Sequence, residues 1–273
     1  MKRFHLIRCI AVALCFLLPA AGECAENPDE GYTPQIGQKG KDVIWLPTLN
    51  ELTDIMLNLA KVTSSDYVID LGSGDGRLVI AAAKRGATAL GIEYDPQLVE
   101  FSRRAAAKEG VSAKATFEEG DIFKSDFSKA TVLTLFLENE LNLALRPKIL
   151  DMKPGTRVVS NTFTMGEWEP DQTVRTELTN PANGKVGHFL IYFWVVPAKV
   201  NGSWKLDAGK ISFTQNFQKV TGTLTIGGKE TELAGKLNGT KLTFTAGGTE
   251  YTGTVSGNTI SGMRGGGFWK ATR

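Results

Sequence analysis

Between Leu49 and Val196 the apolar positions switch repeatedly between a helical and a strand period. Leu49, Leu52, Ile55, Met56 and Leu59 recur at helical spacing and predict a helix from Leu49 to Ala60, with Thr48 or Asn50 as its cap. Beyond it the pattern predicts strand Tyr67 to Leu71, helix Arg77 to Arg85, strand Ala89 to Glu93 and helix Pro96 to Glu109. Strands Lys114 to Glu118 and Thr131 to Leu137, helix Leu141 to Leu150 and strand Arg157 to Asn161 follow. Pro96 suits the first turn of its helix, where no N–H partner is lost. Strands separated by helices imply a parallel sheet covered on both faces.

After Asn161 the alternation stops. Val174 to Leu178 and His188 to Val196 read as two strands joined by Asn180-Pro-Ala-Asn-Gly184, a hairpin signal in place of a helical crossover. From Pro197 the composition shifts to Gly, Thr, Lys and Asn. Eight short alternating segments appear: 203–206, 211–215, 221–226, 231–237, 241–245, 251–255, 259–263 and 268–272. Glycine pairs or Asn-Gly separate them, so a meander closing into a small barrel or sandwich is expected. The expected division is a leader at 1–25, a linker at 26–42, an α/β domain at 43–196 and an accessory β domain at 197–273.

The N-terminus breaks the globular pattern. A basic stretch with Lys2, Arg3 and Arg8 precedes the apolar run Cys9 to Ala21, and small residues follow. These three parts read as a signal peptide, and the run is short for a membrane span. An uncleaved anchor is the alternative. Glu23 before Cys24 argues against a lipoprotein. Cys9, Cys15 and Cys24 all lie in or at the end of the leader, which excludes a disulfide framework and a catalytic thiol in the folded region. The 273 residues are 42% hydrophobic and 22% charged, ordinary globular material with formal net charge +2. Leader removal takes that charge to about 0, so no broad basic surface for nucleic acid is indicated.

The chemistry concentrates in Val68 to Asp95, VIDLGSGDGRLVIAAAKRGATALGIEYD. Gly72, Gly74 and Gly76 occupy alternate positions between strand and helix, where backbone N–H groups can approach a ligand closely. Asp70 and Asp75 flank the turn, and no Lys follows in the GK[ST] arrangement that grips a triphosphate. Two carboxylates oppose a pyrophosphate and attract an ammonium or sulfonium. Glu93 closes the next strand, where an acid in such folds accepts hydrogen bonds from ribose hydroxyls. Together these features point to a cationic nucleoside rather than to NAD or ATP.

DLGSGDG with Glu93 closely resembles motif I and the ribose-binding acid of class I S-adenosylmethionine (SAM) methyltransferases. The resemblance implies a Rossmann-like, seven-stranded sheet ending in an antiparallel hairpin. It also implies that Asp70 and the Gly72–Gly76 turn surround the methionine moiety, that Glu93 holds the ribose, and that the Gly120-Asp121-Ile122 turn meets the adenine. The implied cofactor-binding set is Asp70, Gly72, Ser73, Gly74, Asp75, Gly76, Glu93, Tyr94, Asp121 and Ile122. The lead-in Val43-Ile-Trp-Leu-Pro-Thr48 resembles a segment bordering the SAM pocket in a group that includes mitochondrial lysine methyltransferases. Trp45 and Pro47 are equally compatible with anchoring a core helix. Residues 131–163 resemble the later motifs of non-SET lysine methyltransferases and their bacterial kin, and the likeness ends before the C-terminal β domain.

Methyl transfer from an activated sulfonium needs mainly in-line positioning of the acceptor. LFLENELN ends the fourth strand, and Asn139 and Glu138 are the candidate catalytic pair for an amine acceptor. A Glu pair opening a helix is also explained by the macrodipole alone. Glu138-Asn139 replaces the Leu-Pro of many relatives, and no Asn-Pro-Pro-Phe pattern occurs. Trp168, within Met165 to Pro170, lines an acceptor pocket or packs over the sheet edge. His188, the single histidine outside the leader, is expected to be a packing or surface residue, and no metal site is indicated. The expected activity is methyl transfer to an amine, on a protein lysine or a small molecule. The alternatives are a non-catalytic SAM or nucleoside module and an aminopropyltransferase. The leader implies a periplasmic or secreted location, or membrane association with the enzyme facing the cytoplasm.

Overall fold

The computed structural model describes residues 31–179 and 186–273. Thr33–Arg273 forms one compact unit. The leader and the 180–184 hairpin turn lie outside the described residues.

Four helices and seven strands build the first half: α1 (Asn50–Leu59), β1 (Tyr67–Leu71), α2 (Arg77–Lys84), β2 (Thr88–Glu93), α3 (Pro96–Lys108) and β3 (Ala115–Glu119). They continue with β4 (Val132–Leu135), α4 (Asn139–Leu150), β5 (Arg157–Asn161), β6 (Gln172–Thr179) and β7 (Val186–Val195). The sheet order is β3-β2-β1-β4-β5-β7-β6. β1 to β5 are parallel, and β7 is antiparallel to both β5 and β6. The direction of travel reverses between β1 and β4, the kind of point where ligands enter open α/β sheets.

Helices cover both faces because the buried strands carry apolar residues on both. One core joins α1, α2 and α3 through Leu52, Met56, Leu78, Val79 and Val99 to Val68, Ala89 and Phe117. The other joins α4 through Leu145 and Ile149 to Ile69, Leu71, Leu133 and Val158, with Trp168 and Trp194 closing its end. Asp95 caps α3 by accepting from the Gln97 N–H, and Pro96 takes the first helical position. α1 departs from expectation at its start. Leu49 occupies the cap position and no side chain caps the helix, whereas the Thr48 carbonyl accepts from Arg77 Nη1 at 2.7 Å.

The second half is a closed barrel of eight strands: β8 (Gly202–Leu206), β9 (Gly209–Asn216), β10 (Lys219–Ile226), β11 (Lys229–Asn238), β12 (Lys241–Ala246), β13 (Thr249–Ser256), β14 (Thr259–Arg264) and β15 (Gly267–Thr272). Inward residues alternate with outward ones, and Trp204, Phe213, Phe244, Tyr251 and Trp269 fill the interior as a core separate from those of the sheet. Because the strands run as an up-and-down meander, their turns alternate between two ends. One end, at Phe217, Gln218 and Gly239, meets the α/β half. Phe217 stacks on Trp168 at 6.1 Å, Gln218 Nε2 donates to the Glu169 carbonyl at 2.8 Å, and Lys219 pairs with Glu169 at 2.7 Å. The opposite end carries the turns Asp207-Ala208, Gly227-Gly228, Gly247-Gly248 and Gly265-Gly266.

Candidate functional site

β1, β2 and β3 lie side by side, and each ends on an acidic residue or an acidic turn at the same edge of the sheet. Asp70 stands at the end of β1, Glu93 ends β2, and Asp121 follows β3. Neighbouring strands are roughly 5 Å apart, so the three acids form a row about 10 Å long. A cavity of about 950 Å³, open mouth included, runs along that row.

The glycine turn shapes its floor. Gly72, Gly74 and Gly76 have φ of 73°, 56° and 78°, a region that strains side-chain-bearing residues. At Gly74 a Cβ would also sit 2.5 Å from Trp45 Nε1, so the indole rests directly on this glycine. Gly76 has a different duty. A Cβ there would meet Phe117 at 2.6 Å and Ser102 at 2.8 Å; the residue is absent from the cavity wall and lets α2 start close against β3 and α3.

Glu93 organises the turn. Its Oε2 accepts from the Gly74 N–H at 2.8 Å, and its Oε1 accepts from the N–H groups of Tyr94 at 2.8 Å and Asp95 at 3.0 Å. Burial pushes the Asp70 carboxyl up to about 8; Thr134 Oγ1, donating to it at 2.6 Å, works against that rise, and the charges of Glu93 and Asp75 add to it. Asp121 accepts from the Phe123 N–H at 3.0 Å and from Lys41 Nζ at 3.2 Å. The Phe123 bond foremost, with Lys41 after it, holds this carboxyl below its ordinary range against the effect of burial. Ser73 Oγ is buried at the cavity without a hydrogen-bond partner.

Asp75 lines the cavity, but its charge is not free. Arg77 Nε donates to Asp75 Oδ1 at 2.9 Å and Arg77 Nη2 pairs with Oδ2, so the guanidinium neutralises it. The electrostatic preference against a pyrophosphate therefore rests on Asp70 and Glu93 alone.

Of the ten residues expected to hold a nucleoside, nine line this cavity: Asp70, Gly72, Ser73, Gly74, Asp75, Glu93, Tyr94, Asp121 and Ile122. The opposite wall comes from the lead-in. Gln38, Lys41, Val43, Trp45, Pro47 and Thr48 all face the cavity, folded over by a bridge between Lys39 and Ile44. Lys41 belongs to the segment expected to be a linker. Its ammonium lies 5.3 Å from the Tyr94 ring centre and 5.6 Å from that of Phe123 while pairing with Asp121. Only its basic character next to an aromatic-rich lead-in hinted at this in the sequence.

The β4 end supplies Phe136, Leu137 and Leu141. Glu138 and Asn139 come next in the chain but are not part of the cavity wall. Glu138 takes the cap position of α4 without a side-chain capping bond. Asn139 Oδ1 accepts from the Thr164 N–H at 2.9 Å, and Asn142 Nδ2 donates to the Thr164 carbonyl at 3.2 Å. Both amides thus fix the loop after β5, whose Phe163 stacks on Phe136 at 6.0 Å. Trp168 is fully buried between Trp194 and Phe217, which settles it as a packing residue. His188 is exposed and pairs with Glu177 at 3.1 Å on the outer hairpin. Among the described residues no group of His, Cys, Asp or Glu is placed to hold a metal ion.

An open α/β sheet with this strand order, an antiparallel β7, and a glycine turn leading into a nucleoside-sized cavity define a class I SAM-dependent methyltransferase. A family model described as the ANTKMT methyltransferase domain matches residues 70–172. A protein-lysine N-methyltransferase of Saccharolobus islandicus (strain REY15A) is 37% identical over 157 residues, covering 56% of this chain and 94% of that protein. A human ATP synthase lysine N-methyltransferase is 41% identical over 131 residues, 47% of this chain and 56% of that one. This chain therefore spans about half the length of the human enzyme. Among solved structures, an RNA methyltransferase from Salinibacter ruber in complex with S-adenosyl-L-homocysteine is 42% identical with a TM-score of 0.51, covering 57% of this chain and 96% of that one. The chain belongs to the ANTKMT methyltransferase-domain family, and SAM is its cofactor. These likenesses each cover little more than half of the chain at most.

Proposed function

We propose that the chain is a protein-lysine N-methyltransferase whose SAM lies along the acid row, adenine toward Asp121 and methionine toward Asp70. The observation that carries this reading is the placement of Asp70, Glu93 and Asp121 on three adjacent strand ends of one cavity. The 37% identity to a protein-lysine N-methyltransferase across nearly all of that relative supports the choice of acceptor. SAM supplies an electrophilic methyl group that needs no further activation. The chain's own residues hold, orient and desolvate. Glu93 accepts from the ribose hydroxyls, Asp70 faces the methionine ammonium, and Lys41 and Trp45 close the cavity over the nucleoside. The sheet order places Phe136, Leu137 and Leu141 at the methionine end, where an apolar mouth suits the aliphatic stem of a lysine and favours its neutral amine by desolvation.

Asn139 is assigned as a positioning residue that holds the Thr164 loop, and Glu138 as the carboxylate beside it that draws a cationic side chain. Residues 43–196 form the catalytic domain and 197–273 an appended one. The leader directs the chain to export or holds it at a membrane.

The test uses labelled SAM with lysine-containing peptides, with small amines and with RNA as separate acceptors. Label on lysine is expected. Asn139→Ala is expected to lower kcat several-fold or more while SAM affinity stays within about twofold. Label on RNA alone, or on small amines alone, overturns the protein-lysine reading.

A further inference from the structure

The two halves of the chain carry opposite charge. Residues 26–196 hold 18 Lys and Arg against 24 Asp and Glu, a net of −6; residues 197–273 hold ten against four, a net of +6. The near-zero sum for the whole chain conceals this division.

Two places in the barrel set lysines directly opposite each other across antiparallel strands, an arrangement that destabilises a sheet unless the charge is answered. The first is Lys219 opposite Lys236. It lies at the end facing the α/β half, where Glu169 pairs with Lys219 and the Asp171 carboxylate feels the charge of Lys236. The second is Lys205 opposite Lys210, on β8 and β9 toward the other end. Both side chains are exposed, and neither forms an ion pair among the described residues.

On the adjoining strands β14 and β15, Met263 stands opposite Phe268 beside the Gly265-Gly266 turn. Phe268 is 69% exposed and Met263 49%, so a large apolar pair faces water directly. Exposed Arg264 and Lys270 flank it. The strand order β14-β15-β8-β9 puts the apolar pair and the lysine pair on neighbouring outer faces, with Asp207 as the carboxylate at the β8–β9 turn.

We propose that this face of the barrel docks on an anionic lipid surface, with Phe268 and Met263 entering the interfacial region and Lys205, Lys210, Arg264 and Lys270 resting on acidic headgroups. Apolar tips ringed by cations are the combination that binds such surfaces, since either feature alone is weak. Four dispersed cations, mostly lysines, suit a diffuse negative plane better than the paired forks and stacked aromatics that grip a nucleic acid. The acidic catalytic half would be repelled by the same plane, so the barrel sets which side of the enzyme approaches it.

The test is flotation with vesicles of phosphatidylcholine alone and of phosphatidylcholine with phosphatidylglycerol. The full chain and a chain without residues 1–25 are compared, so that the apolar run Cys9–Ala21 does not supply the binding. Phosphatidylglycerol-dependent flotation of both is expected, weakening as salt is raised. Phe268→Ser with Met263→Ser, and separately Lys205→Glu with Lys210→Glu, should each reduce it at least about tenfold at unchanged thermal unfolding and unchanged methyl transfer to a peptide. All four positions are exposed and distant from the cavity. Binding that requires the leader, binding equal in wild type and variants, or displacement of the chain from vesicles by single-stranded RNA at low concentration overturns the proposal.

Discussion

At the scale of single residues, Glu93 and Asp70 do different electrostatic work and should fail differently. Glu93 receives three backbone N–H groups and keeps acceptor capacity toward the cavity. Glu93→Ala should weaken SAM and S-adenosylhomocysteine by roughly 1.5 to 3 kcal/mol, the worth of hydrogen bonds to a charged acceptor, and titration calorimetry reads it directly. Unchanged affinity would remove the ribose assignment. Asp70 is held protonated near neutrality because burial raises its folded value to about 8 from 3.8. The folded state therefore binds a proton that the unfolded chain has released, and stability without ligand falls as pH rises from about 4 to 8. Binding a ligand ammonium favours the ionised form, so SAM affinity should rise between pH 6 and 8.5 with release of up to one proton per site. Calorimetry in buffers of different ionisation heat measures that release, and Asp70→Asn should flatten the pH dependence.

At the scale of elements, the lead-in over the cavity is a packed wall whose seat is a glycine. Gly74→Ala would push a Cβ to 2.5 Å from Trp45 Nε1 at a φ of 56°, so it should lower both thermal stability and SAM affinity. In a double-mutant cycle with Trp45→Ala the two losses should fall short of additive, since the second change relieves the clash made by the first. Additivity would show that the indole does not rest on this turn. The strand-and-helix alternation, the terminal hairpin and all eight barrel strands were legible because each has a clear apolar period and its turns carry Gly or Asn-Gly. The acid row was legible because its members sit at strand ends. The lead-in wall was not, because Gln38 and Lys41 have no period and reach their partners Asp95 and Asp121 across dozens of residues. Asn139 was legible as a strand-end polar group, but its carbonyl turns to Thr164, a bond fixed by a loop whose path no local pattern encodes. The neutralising Arg77 was in plain view two residues from Asp75, yet whether a guanidinium folds back on its neighbour depends on Thr48 supplying the other half of its anchorage.

At the scale of the whole molecule, the barrel has its own core but also covers Trp168 on the α/β half. A chain ending at Val196 should retain SAM binding, because no barrel residue lines the cavity, while unfolding at a lower temperature as Trp168 loses the ring of Phe217. Differential scanning fluorimetry with and without S-adenosylhomocysteine tests both halves of that statement. Loss of ligand stabilisation would make the barrel part of the catalytic fold.

The barrel's closure has a consequence in time. β8 and β15 meet through a single registered pair, Thr272 with Lys205, whereas the other strand pairs of the barrel have five to eight. Arg273 reinforces the seam, its guanidinium 4.5 Å from the Trp204 ring and donating to the carbonyls of Asn201 and Lys199. Strand β8 emerges from the ribosome some sixty residues before its partner. Until β15 arrives, the nascent barrel is an open sheet with two unpaired edges, the form most prone to sticking to its neighbours. Co-translational folding, not equilibrium stability, is then the step at which Arg273→Ala should do harm, appearing as lower soluble yield at high expression while the purified protein melts nearly as before.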